Sequence, residues 1–201
     1  MPKAADNQHP IHELIELRWS PRAFADKPVS HENLLSLFEA ARWAPSSRNE
    51  QPWVFIVATK DHPNEYQQLL DLLSEGNSRW AKDAPVLILA IAKTFFDYKH
   101  RDNAHARHDL GMAISNLLTQ AVSMNLYAHP MAGFSRQKAY EAFNIPEDYD
   151  PVTMLALGYL GTPDQLDEDL AERETAPRQR KALNEFVYFG DWERSHPWID
   201  S

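Results

Sequence analysis

Two stretches decide how this chain is read: RWSPRAF at Arg18–Phe24 and APSSRNEQPW at Ala44–Trp53. The first sets Arg18, Ser20 and Arg22 at alternate positions of a segment that Pro21 keeps out of helix. Two guanidinium groups with a hydroxyl between them suit a phosphate or a polarised ring carbonyl. They equally suit a solvated turn whose arginines pair with Glu13 or Glu16, since surface ion pairs are common and weak. The second stretch packs Ser46, Ser47, Asn49 and Gln51 between Pro45 and the closing pair Pro52–Trp53. Such a loop offers hydroxyls, amides and backbone donors to a polar ligand, with Trp53 as a flat wall. It also works as a plain helix-to-strand connector with local Ser and Asn turns.

The elements around these stretches follow from periodicity. Ile11, Leu14, Ile15 and Leu17 form a short helical stripe. Ser30 caps a second helix whose apolar side is Leu34, Leu35, Leu37, Phe38 and Ala41, and Pro45 ends it near Ala44. VFIVAT (54–59) and VLILAIA (86–92) read as buried strands. A helix at about 63–75 lies between them and is followed by EGNSRWAKDAP as a connection. Leu110, Ile114, Leu117, Leu118, Ala121 and Met124 mark a long helix. A short strand at 127–131, a Ser135-capped helix to about Phe143 and a strand at 152–160 come next. DQLDEDLAERE (164–174) reads as a solvated acidic stretch, and VYFGDW (187–192) resembles a short strand. Helices alternating with strands predict one layered sheet-and-helix domain over 1–201, with 1–10 loosely ordered.

The composition of the 201 residues is that of a soluble globular protein, 43% hydrophobic and 24% charged. The formal net charge of −9 argues against general nucleic-acid binding and against anionic membrane surfaces. The absence of cysteine removes disulfides, thiolate metal sites, iron–sulfur clusters and a thiol nucleophile. No run is long enough to span a bilayer, and the N-terminus has no apolar signal core, so a cytoplasmic protein is the simplest expectation.

Two further segments can carry chemistry. In PMAGF (130–134), Ala132 and Gly133 leave room for a ligand to approach the backbone, or form an ordinary turn. Arg178, Arg180 and Lys181 form a basic cluster or a solvated charge run. His100, His105 and His108 lie close together, but no metal-binding motif accompanies them, so no metal is expected.

In their order, these segments resemble the FMN-dependent nitroreductase family, from about Ile11 to Trp192. RWSPRAF and APSSRNEQPW match its RxSxR and PSSxNxQPW elements, and EGNSRWAKDAPVLIL, MAGF, LGYLG and PRQRKALNEFV fall where it has counterparts. The resemblance implies an α+β fold with a mixed central β-sheet flanked by helices, in an intertwined homodimer whose C-terminal extension (176–201) docks on the partner. It implies FMN as cofactor and NADH or NADPH as co-substrate. A hydride would pass in ping-pong fashion to a nitroaromatic, quinone or similar electron-poor acceptor. It equally admits a flavin carrier without turnover, or action on unsaturated carbonyl or halogenated substrates.

The resemblance also assigns residues. Arg18, Trp19, Ser20 and Arg22 would bind FMN in one subunit, with Arg178 and Arg180 joining Arg18 at the phosphate. Pro45, Ser46, Ser47, Asn49 and Gln51 would reach the same FMN from the other subunit. Asn77 would face the pyrimidine edge, and Met131, Ala132 and Gly133 would line the ring, the last two through backbone N–H groups near N5 and O4. No catalytic side chain is implied, because flavin N5 carries the chemistry. With only 6 glycines and no phosphate-cradling glycine loop, the chain would have to neutralise the phosphate by side chains. Trp80 stands in the region where some members place a Lys close to the ring. Phe95, Phe96 and Tyr98, in the segment that often covers the flavin, would stack on an aromatic substrate or pack under their own loop.

Overall fold

A computed structural model describes residues 3–98 and 101–199. Thirteen helices and strands follow one another as α1 (Glu13–Leu17), α2 (His31–Arg42), β1 (Trp53–Thr59), α3 (Pro63–Leu70), α4 (Glu75–Ala81), β2 (Val86–Lys93), β3 (Phe95–Phe96), β4 (Arg101–Asp102), α5 (Ala106–Ser123), β5 (Leu126–Met131), α6 (Arg136–Phe143), β6 (Tyr149–Tyr159) and α7 (Glu168–Thr175). The central sheet has the order β1-β2-β6-β5, and β3 and β4 make a separate two-stranded hairpin.

Every pair in that sheet is antiparallel, so among the described residues the sheet is not the mixed one expected. The chain leaves β1 through α3 and α4 and re-enters beside it as β2 running the other way. β5 and β6 are likewise joined by α6. In β2 the two faces are both apolar because both are covered. Val86, Ile88, Ala90 and Ala92 meet α2 and α5, while Leu87, Leu89 and Ile91 meet the side carrying α3 and α4. The α5 stripe Leu110, Ala113, Ile114, Leu117 and Ala121 is buried along its length, as its helical spacing requires.

The caps form as read. Ser30 Oγ accepts from Asn33 N and Ser135 Oγ from Lys138 N, each at 3.2 Å. Three segments differ from their reading. EGNSRWA is helical: Gly76 and Asn77 disfavour helix locally, but Ser74 sits at its N-cap and burial of Trp80 and Ala81 holds it. The acidic stretch contains α7, with Leu170 and Glu174 buried. VYFGDW is not a strand: Gly190 turns the chain at φ 76°, and Phe189 N donates to Arg194 O. Among the described residues no helix is long and apolar enough to cross a membrane.

Leu69 is fully buried in the cluster between α3, α4 and the sheet. Leu69→Ala should cost about 2–5 kcal/mol. Urea titration followed by far-UV circular dichroism checks this, and a change under 1 kcal/mol would mean that the α3 face is not close-packed.

Candidate functional site

The RWSPRA arm has no helix or strand hydrogen bonds of its own beyond its end. It enters the sheet only at Phe24, which bridges to Leu160, while Ala25 N donates to Tyr159 O and Gly161 N to Ala23 O. Upstream it crosses β5. The Trp19 ring meets Tyr127 edge-on at 6.5 Å, and His129 Nδ1 lies 2.9 Å from Pro21 O. On its other side lies Glu174 of α7, only 4% exposed. Its carboxylate accepts from Arg22 N (2.9 and 3.0 Å) and from Ala23 N (3.1 Å). The arm is therefore positioned through its peptide groups, which leaves Arg18 and Ser20 free of that task.

Arg18 Nη1 donates to Ser20 Oγ at 3.3 Å. Burial, and then the charges of Arg178 and Arg180, lower the pKa of Arg18. Burial and Arg180 do the same to Arg178. Three guanidinium groups from the two ends of the chain thus lie within reach of one another's charge, Arg178 being bonded to the Glu16 carbonyl two residues before Arg18. Among the described residues none of the three has a carboxylate within ion-pairing distance. The alternative pairing with Glu13 or Glu16 does not form; Arg178 instead donates to the backbone oxygens of Glu16 (2.6 Å) and Lys3 (2.8 Å). Arg22 differs from the others, its guanidinium lying 4.0 Å from Glu174. Trp19 Nε1 is buried with no hydrogen-bond partner, an unspent donor within the arm.

Farther along β5 a second group assembles. Asn77 Nδ2 and Ser74 N both donate to Gly133 O at 3.0 Å. A Cβ at Gly133 would lie 2.7 Å from Asn77 Nδ2 and from Ser74 Oγ, so any larger residue would displace these side chains. Met131 takes no side-chain part here. It is 2% exposed in the core, and its carbonyl accepts from Thr153 Oγ1. Trp80 is not at a ring site either: 2% exposed, it packs between Phe24 and His129, with ring centroids 6.3 and 4.5 Å away.

The serine loop lies elsewhere. It precedes β1 on the opposite edge of the sheet, and Lys93 N donates to Pro52 O where β1 and β2 begin and end. Ser47 N donates to Asp109 Oδ2 on α5, on the other face (2.8 Å), and Asp109 is 2% exposed. Ser46 Oγ accepts from Gln51 N, and Gln51 Nε2 donates to Asn49 O. Arg48, Asn49 and Gln51 all have left-handed φ (55°, 55° and 51°), which Asn adopts readily and which strains Arg48 and Gln51. Pro45 and Asn49 are exposed beside it. Ordinary strand geometry separates this loop from the arm by about 20 Å along the strands and about 14 Å across them.

The aromatic segment divides. Phe96 is 6% exposed under its own hairpin, with the Arg101 guanidinium 5.2 Å over its ring. Phe95 lines a cavity of about 480 Å³ together with Asn103, Arg107, Arg136 and Asp150. Tyr98 faces outward beside the serine loop, with Arg48 5.9 Å over its ring. His108 Nδ1 lies 3.0 Å from Asp109, His105 caps α5, and His100 lies outside the described residues. Asp109 and Glu174 escape sequence reading, because nothing in a lone carboxylate on a polar stretch shows that it will be buried against backbone donors.

The Nitroreductase family profile matches residues 15–159. The chain belongs to the nitroreductase family. Members of that family are FMN-dependent oxidoreductases that use NAD(P)H. A solved structure described as an oxidoreductase containing FMN is 34% identical, with a TM-score of 0.90, covering 95% of this chain and 97% of that one. An uncharacterised 15.4 kDa protein from the ask 5′ region of Mycolicibacterium smegmatis is 41% identical over 127 residues, 63% of this chain and 84% of its own. A Xanthomonas oryzae protein named for NADH dehydrogenase and NAD(P)H nitroreductase is 28% identical over 171 residues, 76% of this chain and 86% of its own.

His129, between the arm and Trp80, is pushed down to about 4 from an ordinary 6.5, by burial first and by the charges of Arg22 and Arg18; its hydrogen bond to Pro21 O opposes this. In the folded chain the imidazole is neutral and donates through Nδ1. Between pH 6.5 and 4 the unfolded chain therefore binds more protons, and stability falls as pH falls through that window. Denaturant titrations at pH 6.5 and 4.5 should show His129→Gln losing about 2 kcal/mol less than the parent. Equal losses in the two proteins would contradict this.

Proposed function

We propose that the chain is a homodimeric NAD(P)H:acceptor oxidoreductase that binds FMN, its phosphate on Arg18, Arg178 and Arg180 and its ring beside Asn77 and Gly133. The observation that carries this is the arginine cluster without a carboxylate. Bringing like charges together and partly burying them is unfavourable unless an anion completes the site. A phosphate monoester, at roughly −1.5 to −2 charge, suits three guanidinium groups. Ser20 adds a hydroxyl on the same segment, and Ala132, exposed beside Gly133, leaves backbone that a flat ring edge can approach. Bound FMN supplies the redox step, taking a hydride from NAD(P)H and returning two electrons to a nitroaromatic, quinone or similar electron-poor acceptor. The side chains bind and orient, and none is required as a general acid.

The dimer follows from the same geometry. Pro45, Ser46, Ser47, Asn49 and Gln51 are on the far edge and far end of the sheet, so they reach an FMN on the arm only from a second copy of the chain. Exposed Ile15 (55%), Leu35 (70%) and Trp43 (73%) supply apolar surface for such an interface. So do Phe186, Trp192 and Trp198 of the C-terminal segment 176–201, which we read as an extension of a single domain that lies on the partner. The strain in the serine loop fits a segment pre-shaped for a ligand. In the same reading Tyr98, beside that loop, borders the acceptor's approach.

Arg180 makes few internal contacts: its Nη1 donates only to the neighbouring Gln179 carbonyl. Arg180→Ala should weaken FMN binding about 10- to 100-fold, the loss of one charged hydrogen-bond partner, with the melting temperature of the FMN-free protein unchanged. Flavin fluorescence quenching measures the first and calorimetry the second. Oxidation of NAD(P)H with menadione or nitrofurazone tests turnover. A purified protein that is colourless and stays so with added FMN overturns the proposal. A yellow protein without turnover reduces it to a flavin carrier, and a stable monomer with bound FMN overturns the dimer.

A further inference from the structure

Three guanidinium groups repel one another, and the bonds of Arg178 to the Glu16 and Lys3 carbonyls hold only one of them, so the backbone beneath the others must be fixed as well. Arg18 and Ser20 lie on the arm, and Arg178 and Arg180 lie just after α7, at the other end of the chain. Glu174 is the last but one residue of α7, four positions before Arg178. Its buried carboxylate accepts from Arg22 N and Ala23 N, its own carbonyl accepts from Lys3 Nζ at 2.8 Å, and Arg22 Nη1 lies 4.0 Å from Oε2. The peptide group between Pro21 and Arg22 is thereby held at both ends, its N–H by Glu174 and its carbonyl by His129 at 2.9 Å. Rotating that peptide plane would swing Ser20 and Arg18 away from Arg178.

We propose that Glu174 is the positioning residue of the cofactor site: it locks the arm to the segment carrying Arg178 and Arg180, and so sets the affinity for the flavin phosphate without touching it. The inference rests on the FMN reading above. A carboxylate suits this task because it can take two successive backbone N–H groups at once, while its charge offsets Lys3 and Arg22 nearby. Without it, two buried donors would be left unpaired, and the arm would move to satisfy them. The anchor is internal, so the phosphate cluster is already aligned when the cofactor arrives and pays less for ordering.

The test compares FMN with riboflavin, which lacks the phosphate, on the full-length protein. Flavin fluorescence quenching gives both dissociation constants for the parent, Glu174→Ala, Glu174→Gln and the control Leu69→Ala, and calorimetry gives their melting temperatures. Glu174→Ala should raise the FMN constant about tenfold or more, while the riboflavin constant changes less than about twofold. Glu174→Gln keeps one acceptor oxygen and should recover part of the loss. Leu69→Ala should lower the melting temperature with the FMN-to-riboflavin ratio unchanged. If Glu174→Ala does not fold, a reduced ratio in Glu174→Gln carries the same conclusion. A folded Glu174→Ala or Glu174→Gln with the parental ratio overturns the proposal. A parent protein that binds neither flavin overturns the FMN reading itself, and the proposal with it.

Discussion

The hydrogen bonds from Arg22 N and Ala23 N to the buried Glu174 carboxylate join the two ends of the chain. The arm has no regular structure to direct it, and α7 makes few contacts with the sheet. Leu170 in the core and Arg79 on Asp167 and Asp169 hold α7, the Phe24 bridge and Trp19 on Tyr127 hold the arm, and the Glu174 carboxylate fixes one against the other. With that contact made, Arg178 and Arg180 stand next to Arg18, Lys3 folds back onto α7, and Pro21 is placed over His129. His129 in turn rests on Trp80, which links the arm to α4 and so to Asn77 and Gly133. A row of buried contacts along β5 thus connects the basic cluster to the glycine approach.

The antiparallel sheet imposes the second constraint. Its order, β1-β2-β6-β5, puts the serine loop and the arm at opposite edges, ends and faces of the sheet. A sheet is stiff, and no side-chain movement closes a gap of that size. Each of the two segments is steadied by its own buried acid, Asp109 for the loop and Glu174 for the arm, both accepting backbone N–H groups. A chain with net charge −9 therefore buries Asp109 and Glu174 as acceptors of backbone N–H groups and Asp150 against Arg107 and Arg136, while among the described residues its clustered arginines have no carboxylate partner.

Much of the architecture was legible in local pattern. β2, α5 and the Ser30 and Ser135 caps are each dictated by residues within a few positions, so periodicity and capping chemistry locate them. α4 was not legible, because Gly76 and Asn77 are poor helix residues and only the burial of Trp80 and Ala81 makes the turn worthwhile. VYFGDW has strand composition, but Gly190 turns it and no strand edge among the described residues receives it. Met131 was read as lining the ring from its place beside Ala132, yet the alternation of β5 turns its side chain into the core.

The sequence by itself determined the chemical inventory: alternating Arg and Ser in the arm, the Ser–Asn–Gln loop, the small Ala132–Gly133 pair, the basic tail and the absence of cysteine. These depend on residue type and short spacing, which survive any folding. It also determined the family, because the order of those segments is distinctive. Only the tertiary structure decided which of them meet. Convergence of Arg18 with Arg178 and Arg180, separation of the serine loop, removal of Trp80 into the core and burial of Asp109 and Glu174 all follow from strand order and side-chain parity. Those are properties of contacts distant in sequence, from Trp80 with His129 to Ala23 with Glu174, or of a register in which a one-residue slip would turn every side chain to the other face.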